Sequence, residues 1–398
     1  MKIYIITPDG FPYGMAATNR IICYAKGLIN AGTQCEVLIY RRSSIKNAQY
    51  YKENQGIFEG IPFKYIGNGP SNKNIIIRYL QNKIDKLKLI KHLKRTLQKG
   101  DVILAYIRED KFTNKLIKTA QRNNASIYRD LCEFPYATSQ IKNNKIHKKS
   151  RYYLLHSFRN FTGSICISEK LLDVANKFNP KGKNIKIPIL IDTEKWNFNT
   201  IPNEKLKQDL FIFHSGTLYQ QKDGILTILK SFAKALPMLP PNIKYIFTGN
   251  IEKSPNAKEI QLLIDKYNLK EHLIFLGYIS HEDLLSYMRR ATLFIIYKNK
   301  NLQNEYCFAT KMGEYLLSGN PIITTNVGEC TNYLKHLENA YLVQPENEEE
   351  LSRAIITLIN DPNLRIEIGA RGKETALKHF TYQNQGKILK KFFEQNNK

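Results

Sequence analysis

The sequence lacks paired cysteines, long apolar runs and a balance between acidic and basic residues. Its six cysteines form no CxxC pair and no His/Cys cluster with zinc spacing, which predicts reduced thiols and no zinc site. No stretch approaches the roughly 18 uninterrupted apolar residues of a membrane-spanning helix. The N-terminus has neither the apolar run nor the small-residue cleavage site of a secretory signal. We therefore expect a cytosolic protein without a transmembrane segment.

Acidic residues are scarce relative to basic ones. The chain of 398 residues holds 35 Asp and Glu against 60 Lys and Arg, a formal net charge of +25 at pH 7. Such a charge predicts an anionic partner: a nucleic acid, a phosphorylated small molecule or an acidic membrane surface. Hydrophobic residues make up 42% and charged residues 24% of the chain, which excludes global disorder. The length indicates two or three domains.

Several motifs of catalysis are also missing. The chain has no Asp-x-Asp motif for metal–diphosphate binding, no Gly-x-Ser-x-Gly nucleophile elbow and no Walker P-loop. Paired carboxylates at catalytic spacing are not evident either. These absences argue against hydrolases, kinases and metal-dependent glycosyltransferases with a single Rossmann domain, and they predict that no metal is bound.

Short β-branched apolar runs alternate with segments of helical period, in two series. The strand candidates are Lys2–Thr7, Cys35–Tyr40, Val102–Ile107, Ser126–Leu131 and Gly163–Ser168, then Leu210–Ser215, Lys244–Thr248, Leu273–Leu276, Thr292–Tyr297 and Pro321–Thr325. The helix candidates between them include Ala17–Ala31, Asp223–Leu236, Ala257–Tyr267, Glu282–Arg290, Lys311–Ser318 and Glu348–Asn360. This alternation predicts two doubly wound parallel α/β sheets with helices on both faces. The break between the series lies near 195–209.

A glycine turn follows the first strand of each series. Gly14 lies between Lys2–Thr7 and a helix, and Gly216 follows Leu210–Ser215 and precedes another helix, with Lys222 beside its start. A strand, a glycine turn and a helix N-terminus together favour an anion such as a phosphate. Each feature alone fits an ordinary turn or a surface lysine equally well.

The densest group of candidate site residues lies between 304 and 323. There a loop turns into a short helix near Thr310, which ends at Gly319. The amides at the start of this helix could hold a diphosphate. Glu314, one turn further in, could accept hydrogen bonds from two adjacent hydroxyls, as on a ribose. A surface glutamate remains the alternative from the residues alone.

Two segments of the first half are unusually basic. Lys73–Leu97 holds eight Lys or Arg against Asp85. Its apolar stripe steps by three or four residues, which is helical spacing, through Ile76, Leu80, Ile84, Leu87, Ile90, Leu93 and Leu97. Lys142–Phe161 is basic throughout and interleaved with aromatic residues. Each segment can be a solvated helix face whose apolar stripe packs on the domain, but two in one half favour docking on an anionic membrane. The docking candidates are Lys145, Lys148, Lys149, Tyr152 and Tyr153, with Phe158 added if it is exposed.

Together these features resemble the retaining glycosyltransferases of family 4, which have the GT-B fold. The likeness covers nearly the whole chain and is strongest in its second half. The matching stretches are Gly216-Thr217-Leu218, Lys222-Asp223-Gly224, Thr310-Lys311-Met312-Gly313-Glu314-Tyr315-Leu316, Gly319-Asn320-Pro321-Ile322, Asn326–Glu329 and Glu338–Val343. The resemblance implies two Rossmann-like domains facing across a cleft, with 1–195 binding the acceptor and 196–378 the nucleotide-sugar. A C-terminal helix, 379–398, is expected to return to the first domain.

The resemblance also implies a reaction and roles for residues. A sugar would pass, with retention and without a metal, from a UDP- or GDP-linked donor to a hydroxyl of a glycan or lipid-linked acceptor in bacterial surface polysaccharide synthesis. The donor is a substrate, so no cofactor is expected, and the enzyme would lie on the inner face of the cell membrane. The implied catalytic residues are Lys222 on the diphosphate, Glu314 on the ribose, and Glu133. Further donor contacts would come from Gly14, Gly216, Thr217, Tyr278, Ile279, Phe308, Ala309, Thr310 and Lys311.

Three positions depart from the family pattern. Thr217 stands where an arginine often assists Lys222, so that its charge would have to come from Lys311 or Arg20. The family's two glutamates are separated by seven residues, and counting back from Glu314 gives Tyr306, with Glu305 one residue too far. Cys132 stands where the family has an active-site histidine. These departures fit a divergent branch.

Two other functions remain open from the sequence. A non-hydrolysing nucleotide-sugar epimerase of GT-B type would need acid/base groups, for which Asp130, Glu133 and His214 are the few candidates. A nucleic-acid-binding protein would use the positive charge, but the sequence shows no known binding module, and the basic segments concentrate in one half. We therefore expect a nucleotide-sugar rather than nucleic acid as the partner.

Overall fold

The computed structural model describes residues 1–8, 10–41, 53–67, 71–107, 111–134, 157–196 and 210–397. The chain divides into two compact units. Unit 1 combines Met1–Ile191 with Thr381–Lys398, and unit 2 covers Asp192–Phe380. Each unit is built around its own sheet.

The sheet of unit 1 has the strand order β3-β4-β2-β1-β5-β6-β7-β8. The strands are β1 (Lys2–Thr7), β2 (Gln34–Ile39), β3 (Gln55–Phe58), β4 (Ile61–Tyr65), β5 (Val102–Ala105), β6 (Ser126–Leu131), β7 (Gly163–Cys166) and β8 (Lys183–Lys186). The helices are α1 (Ala16–Asn30), α2 (Ile75–Thr96), α3 (Lys111–Arg122) and α4 (Glu169–Phe178). All neighbouring strands are parallel except β3 and β4. Apolar cores lie on both faces of this sheet, which explains why its central strands are apolar throughout.

The sheet of unit 2 is parallel throughout and has the order β11-β10-β9-β12-β13-β14. Its strands are β9 (Phe211–His214), β10 (Lys244–Phe247), β11 (Leu273–Phe275), β12 (Leu293–Ile296), β13 (Ile322–Thr325) and β14 (Tyr341–Val343). Its helices are α5 (Gln220–Asp223), α6 (Ile225–Ala235), α7 (Ala257–Lys266), α8 (His281–Arg290), α9 (Leu302–Tyr306), α10 (Lys311–Ser318), α11 (Glu348–Asn360) and α12 (Pro362–His379). This order is that of a doubly wound dinucleotide-binding fold.

The last helix, α13 (Tyr382–Asn396), packs in unit 1 against α1. The two backbones touch where Gly27 meets Gly386: a Cβ added at Gly386 would lie 2.3 Å from the carbonyl of Gly27. Leu389 and Phe393 are buried in the core of unit 1. The end of the chain is therefore a structural part of unit 1.

Four strands were not predicted from the sequence: β3, β4, β8 and β14. Apolar runs predict strands that are buried on both faces, whereas β3, β8 and β14 lie at sheet edges and β4 alternates between buried and exposed residues. Phe158, a docking candidate only if it is exposed, is buried, as is Phe161, so neither can touch a membrane. The expectation of one packed apolar stripe on Lys73–Leu97 is wrong. The apolar stripe of Lys73–Leu97 does not pack as one: Leu89, which lies outside it, is buried, whereas Ile76 is 70% exposed.

Candidate functional site

The site lies where the strand order of unit 2 reverses, between β9 and β12. All six strands are parallel, so the loops after them emerge at one edge of the sheet. Ligands of open α/β sheets bind at this position, because the loops on either side diverge and leave a crevice. The loop after β9 holds residues 215–219, and the loop after β12 holds residues 297–301.

The turn after β9 is anchored by hydrogen bonds from its own amides. The amide of Ser215 donates to Oη of Tyr315 at 2.7 Å, and that of Gly216 donates to Oγ1 of Thr248 at 3.1 Å. Gly216 has φ +152°, and a Cβ added there would lie 2.1 Å from Nζ of Lys311. The backbone conformation therefore favours glycine at this position, and a larger residue would also displace the ammonium of Lys311.

Lys311 opens α10 and directs its ammonium at this turn, where Nζ donates to the carbonyl of Ser215. Burial lowers the pKa of Lys311 to about 8, and the nearby ammonium of Lys298 acts in the same direction, against the carboxylate of Asp223. An anion bound near this ammonium would raise its pKa again and so stabilise its charged form. The structure thus places Lys311 beside the glycine turn.

Lys222 lies on the single turn α5 and is exposed, next to a partly buried ion pair. Nζ of Lys298 lies 2.9 Å from Oδ1 of Asp223 and donates to the carbonyl of Lys222, also at 2.9 Å. Oγ1 of Thr217 donates to Oδ2 of Asp223 at 2.6 Å. Burial alone would raise the pKa of Asp223, but Lys298, His214 and Thr217 together hold it at about 2. Thr217 therefore orients Asp223 rather than supplying a charge.

Asparagine side chains of the loop after β12 hold α5 in place. Nδ2 of Asn299 donates to the carbonyl of Gln220 at 2.6 Å, and Nδ2 of Asn301 to that of Gln221 at 3.0 Å. Nδ2 of the buried Asn304 donates a hydrogen bond to the carbonyl of Asn299 at 2.9 Å. Sequence reasoning missed Lys298 and these asparagines. The repeated asparagines between 299 and 304 were the available signal, since amide side chains often pair with open carbonyls.

Glu314 is half-buried in the first turn of α10. Burial raises the pKa of its carboxyl, whereas the ammonium groups of Lys311 and Lys195 lower it. The next residue, Tyr315, points into the core and stacks on Phe294 at 4.0 Å between ring centroids. Lys311 and Glu314 thus lie on one end of a helix that the core holds firmly, with opposite charges one turn apart.

The remaining predicted donor contacts of unit 2 differ in exposure. Tyr278 is 89% exposed and Ile279 half-buried, after Gly277 in the left-handed region at φ +66°. Ala309 is half-buried and Thr310 exposed at the start of α10. The side chain of Phe308 is buried and lies between Tyr333 and Phe380. Only the backbone of Phe308 can therefore serve a ligand.

The corresponding loop of unit 1, after β1, leads into α1. Gly14 lies where a Cβ would meet Oγ1 of Thr18 at 1.9 Å, and that hydroxyl donates to the carbonyl of Gly10 at 2.5 Å. Glu133 is exposed just beyond β6. Both residues are accessible parts of the carboxyl edge of this sheet.

The expectation that Arg20 could supply the missing diphosphate charge is wrong. Arg20 is buried, with Nε 3.0 Å from Oδ2 of Asp130, and it donates to the carbonyls of Ile187 and Pro188 at 2.9 and 2.6 Å. Oη of Tyr24 and Sγ of Cys132 also donate to Asp130, at 2.8 and 3.0 Å. This network satisfies the guanidinium internally, whereas Lys311 lies at the glycine turn.

His214 and Asp130 do not form the acid/base set that an epimerase would need. His214 is buried at the end of β9, where Nδ1 lies 3.3 Å from the carbonyl of Ile295, and burial lowers its pKa to about 4. A histidine that stays neutral at physiological pH is a poor general acid. Asp130 is occupied by Arg20 in the other unit. These findings leave the epimerase hypothesis without support from its candidate residues.

Several predictions fall outside what the structure describes. Lys145, Lys148, Lys149, Tyr152 and Tyr153 all lie in the undescribed range 135–156. Across the described ranges, no helix combines the length and apolarity needed to cross a bilayer. Within the same ranges, no three His, Cys, Asp or Glu side chains cluster so that they could hold a metal ion.

Comparison with known proteins finds a family model on the second half of the chain and relatives that match more than half of it. The family model described as glycosyl transferases group 1 matches residues 197–375. The uncharacterized glycosyltransferase MJ1178 of Methanocaldococcus jannaschii is 25% identical over 253 residues, which cover 62% of this chain and 63% of that protein. The capsular polysaccharide biosynthesis glycosyltransferase CapM of Staphylococcus aureus is 25% identical over 245 residues, 58% of this chain and 61% of CapM. Both matches span slightly less than two thirds of the relative.

Solved structures match over nearly the full length. Anabaena Alr3699/HepE in complex with UDP has a TM-score of 0.73 at 16% identity, covering 99% of this chain and 100% of that one. Sucrose-phosphate synthase from Thermosynechococcus elongatus has a TM-score of 0.75 at 16% identity, covering 99% and 98%. The predicted fold class is confirmed: the chain has the two parallel-sheet α/β units of GT-B glycosyltransferases, and the unit with the candidate site matches the group 1 family model.

Proposed function

We propose that this protein is a retaining, metal-independent glycosyltransferase that uses a UDP- or GDP-linked sugar. The observation that carries the proposal is the arrangement at the strand reversal of unit 2. There Lys311 and the exposed Lys222 flank a glycine turn, and Glu314 lies one helical turn away. A nucleoside diphosphate offers what these groups recognise, a dianionic diphosphate and a ribose with two adjacent hydroxyls. The UDP bound by the structurally similar Anabaena HepE supports this choice of ligand.

The reaction breaks the bond between the anomeric carbon and the diphosphate oxygen. As that bond breaks, negative charge grows on the diphosphate, and the ammonium groups of Lys222 and Lys311 stabilise it. The acceptor hydroxyl attacks the same face of the sugar, and its proton passes to the departing phosphate oxygen. The protein therefore supplies charge and orientation, and no side chain has to become a nucleophile. Glu133, exposed at the carboxyl edge of unit 1, is proposed to contact the acceptor side.

The acceptor is proposed to be a hydroxyl of a glycan or lipid-linked oligosaccharide in bacterial surface polysaccharide synthesis. The similarity to the capsular polysaccharide glycosyltransferase CapM supports this setting. A carrier lipid would place the reaction at the cytoplasmic face of the cell membrane, with the enzyme bound to its surface. The positive net charge of +25 suits that location.

The test begins with a thermal-shift screen against UDP-, GDP- and ADP-sugars, followed by transfer assays with the donor that stabilises the protein. Lys222→Ala and Glu314→Ala should each lower kcat/KM about 30- to 900-fold, since each loses a charge-assisted contact worth about 2–4 kcal/mol. Matched controls are Lys266→Ala at the end of α7 and Glu374→Ala on α12, two exposed positions. Near-wild-type turnover in both site variants would refute the assignment. Inversion at the anomeric carbon, seen by NMR of the product, would refute retention.

A further inference from the structure

Helix α2 exposes an apolar row along its first half. Ile76, Leu80, Ile84 and Leu87 follow one another at intervals of four, four and three residues and are 70%, 51%, 51% and 57% exposed. This spacing puts them on one side of the helix. We call these four side chains the crest. The opposite side of the helix buries Asp85, Leu89 and Leu93, so α2 is attached to its unit by its other face.

The exposed end of α2 is a formed helix. The side chain of Asn74 caps it, since Oδ1 accepts hydrogen bonds from the amides of Ile76 and Ile77 at 2.9 and 3.3 Å. Ile75 and Tyr79 widen the apolar surface beside the crest and are 72% and 58% exposed. From Ile75 to Leu87 the apolar surface extends for about 18 Å along the helix axis. An exposed apolar surface of this kind is typical of a site that binds another protein or a membrane.

The charges beside the crest are almost all positive. Helix α2 carries seven Lys or Arg residues, and Asp85, its acidic residue, is buried. Lys83 lies with Nζ 4.4 Å from the ring centroid of Tyr79, and Lys88 and Lys91 are exposed further along. An apolar row flanked by lysines is the pattern of a helix that lies in the surface of an anionic bilayer, with lysine stems along the apolar layer and ammonium groups at the headgroups.

The position of the crest in unit 1 agrees with this partner. Helix α2 follows β4 and precedes β5, and both strands belong to the parallel part of the sheet that includes β1. The first turns of α2 therefore begin at the carboxyl edge of the sheet, the same edge from which the loop with Gly14 emerges. Ligands of such sheets bind at that edge. A membrane under the crest would thus lie on the ligand side of unit 1.

We propose that the crest and its flanking lysines dock this protein on an anionic lipid bilayer, with α2 lying in the plane of the interface. A second copy of the chain would bring equal positive charges together, and a nucleic acid would leave the apolar row without a partner. The benefit of docking rests on the proposed function, because a lipid-linked acceptor is reached from the bilayer surface. The docking itself is measured without any substrate.

The experiment is co-sedimentation of the full-length protein with phosphatidylcholine vesicles, with and without phosphatidylserine. The wild type should bind the anionic vesicles, bind less as salt increases, and leave neutral vesicles largely unbound. The crest variant, Ile76→Gln, Leu80→Gln, Ile84→Gln and Leu87→Gln, keeps every charge and uses a good helix former. It should lose at least tenfold in the vesicle partition coefficient. Its matched control, Leu262→Gln with Ile366→Gln, changes two apolar side chains that are 68% and 70% exposed in unit 2 and should bind like the wild type.

A charge variant separates the two contributions. Lys83→Gln, Lys88→Gln and Lys91→Gln should remove most of the preference for phosphatidylserine, whereas Lys258→Gln, Lys266→Gln and Lys270→Gln on exposed positions of unit 2 should not. Wild-type protein that fails to bind anionic vesicles, or a crest variant that binds them unchanged, would overturn the proposal. So would a wild-type dimer in solution that the crest variant abolishes. UDP binding by calorimetry, measured in the same variants, should be unchanged, so a failure of the donor site would be seen independently.

Discussion

The loops after β1 and β9 occupy equivalent places in their sheets, but they arrange charge in opposite ways. In unit 1, Arg20 is buried against Asp130, and main-chain carbonyls use its other N–H groups. In unit 2, the loop region holds Lys222, Lys298 and Lys311, of which Lys298 pairs directly with Asp223. The first arrangement is closed and electrically balanced, whereas the second has an excess of positive charge.

The position of a loop in the fold therefore does not by itself decide whether the loop binds a ligand. Both loops lie where open α/β sheets bind ligands, and both contain glycine and a nearby basic residue. The arginine of unit 1 is committed to holding β6 and the 187–188 segment around α1. The ammonium of Lys311 in unit 2 lies beside the glycine turn, where burial lowers its pKa to about 8 and so disfavours its charged form. The predictions below test this contrast.

The largest expected effect is on the buried pair of unit 1. Asp130→Leu should lower the free energy of unfolding of unit 1 by about 3–5 kcal/mol, because it leaves the guanidinium of Arg20 buried without a counter-charge. Adding Arg20→Leu should restore much of the loss. Asp223→Asn in unit 2 should cost only about 1 kcal/mol, since Lys298 retains the carbonyl of Lys222 as an acceptor.

The readout can distinguish the two units. Trp196 is the sole tryptophan of the sequence and belongs to unit 2. Urea unfolding followed by tryptophan fluorescence therefore reports on unit 2, whereas far-UV circular dichroism reports on both units. Asp130→Leu should shift the circular dichroism transition more than the fluorescence transition. Equal losses of unfolding free energy in Asp130→Leu and Asp223→Asn would contradict this contrast between the two units.

The next effect is acid sensitivity of unit 2 through His214. Burial lowers its folded-state pKa to about 4 from an ordinary value of 6.5. Between pH 6.5 and 4 the unfolded chain binds a proton that the folded unit does not, so stability is full above pH 6.5 and falls as pH decreases through this window. The loss should reach roughly 3 kcal/mol. Urea midpoints by Trp196 fluorescence should fall over this range in the wild type and flatten in His214→Leu. A wild-type midpoint that stays constant would contradict a buried neutral His214.

How much of this could be read from the sequence depended on the range of the interactions. The spacing of apolar residues predicted α10 and α11 with the bounds observed, because helical periodicity is local. The order of strand, glycine turn and helix marked Lys222 and Glu314 as candidates, and their roles toward a donor stay predictions. The roles of Lys298 and Asn299 could not be predicted, since each acts on α5 from more than 70 residues away. Nor could the sequence tell that Arg20 is neutralised by Asp130, 110 residues later.

The stripe on α2 shows the same limit on a single helix. Its spacing predicted one amphipathic face, but the structure buries Leu93 and Leu97 and leaves Ile76 and Leu80 exposed. Periodicity fixes which side chains share a side of a helix, whereas what covers that side depends on where the helix ends relative to the sheet. The spacing of apolar residues alone therefore does not predict that the first half of α2 is exposed.

A smaller effect concerns the charge of Lys311. Its ammonium is present below pH 8 and lost as pH rises through that value, because burial lowers its folded-state pKa. Affinity for UDP should therefore fall by up to about tenfold between pH 7 and 9, as measured by calorimetry. Lys311→Arg should remove this pH dependence because a guanidinium stays charged. Lys311→Met should bind weakly at every pH. A wild-type affinity that does not change with pH would place the diphosphate elsewhere.

The smallest effect is expected at Cys132, which belongs to the closed network of unit 1. Burial raises the pKa of its thiol well above the ordinary value, and Sγ donates to Oδ2 of Asp130 at 3.0 Å. A thiol held protonated in this way is a weak nucleophile, and the proposed reaction forms no covalent intermediate on the protein. Cys132→Ser keeps a donor for Asp130, so kcat/KM should change by less than about threefold, the size of half a kcal/mol. Complete loss of transfer, together with a glycosyl–cysteine adduct detected by mass spectrometry in the wild type, would instead require a double displacement, and unit 1 would then hold a reactive group rather than a structural one.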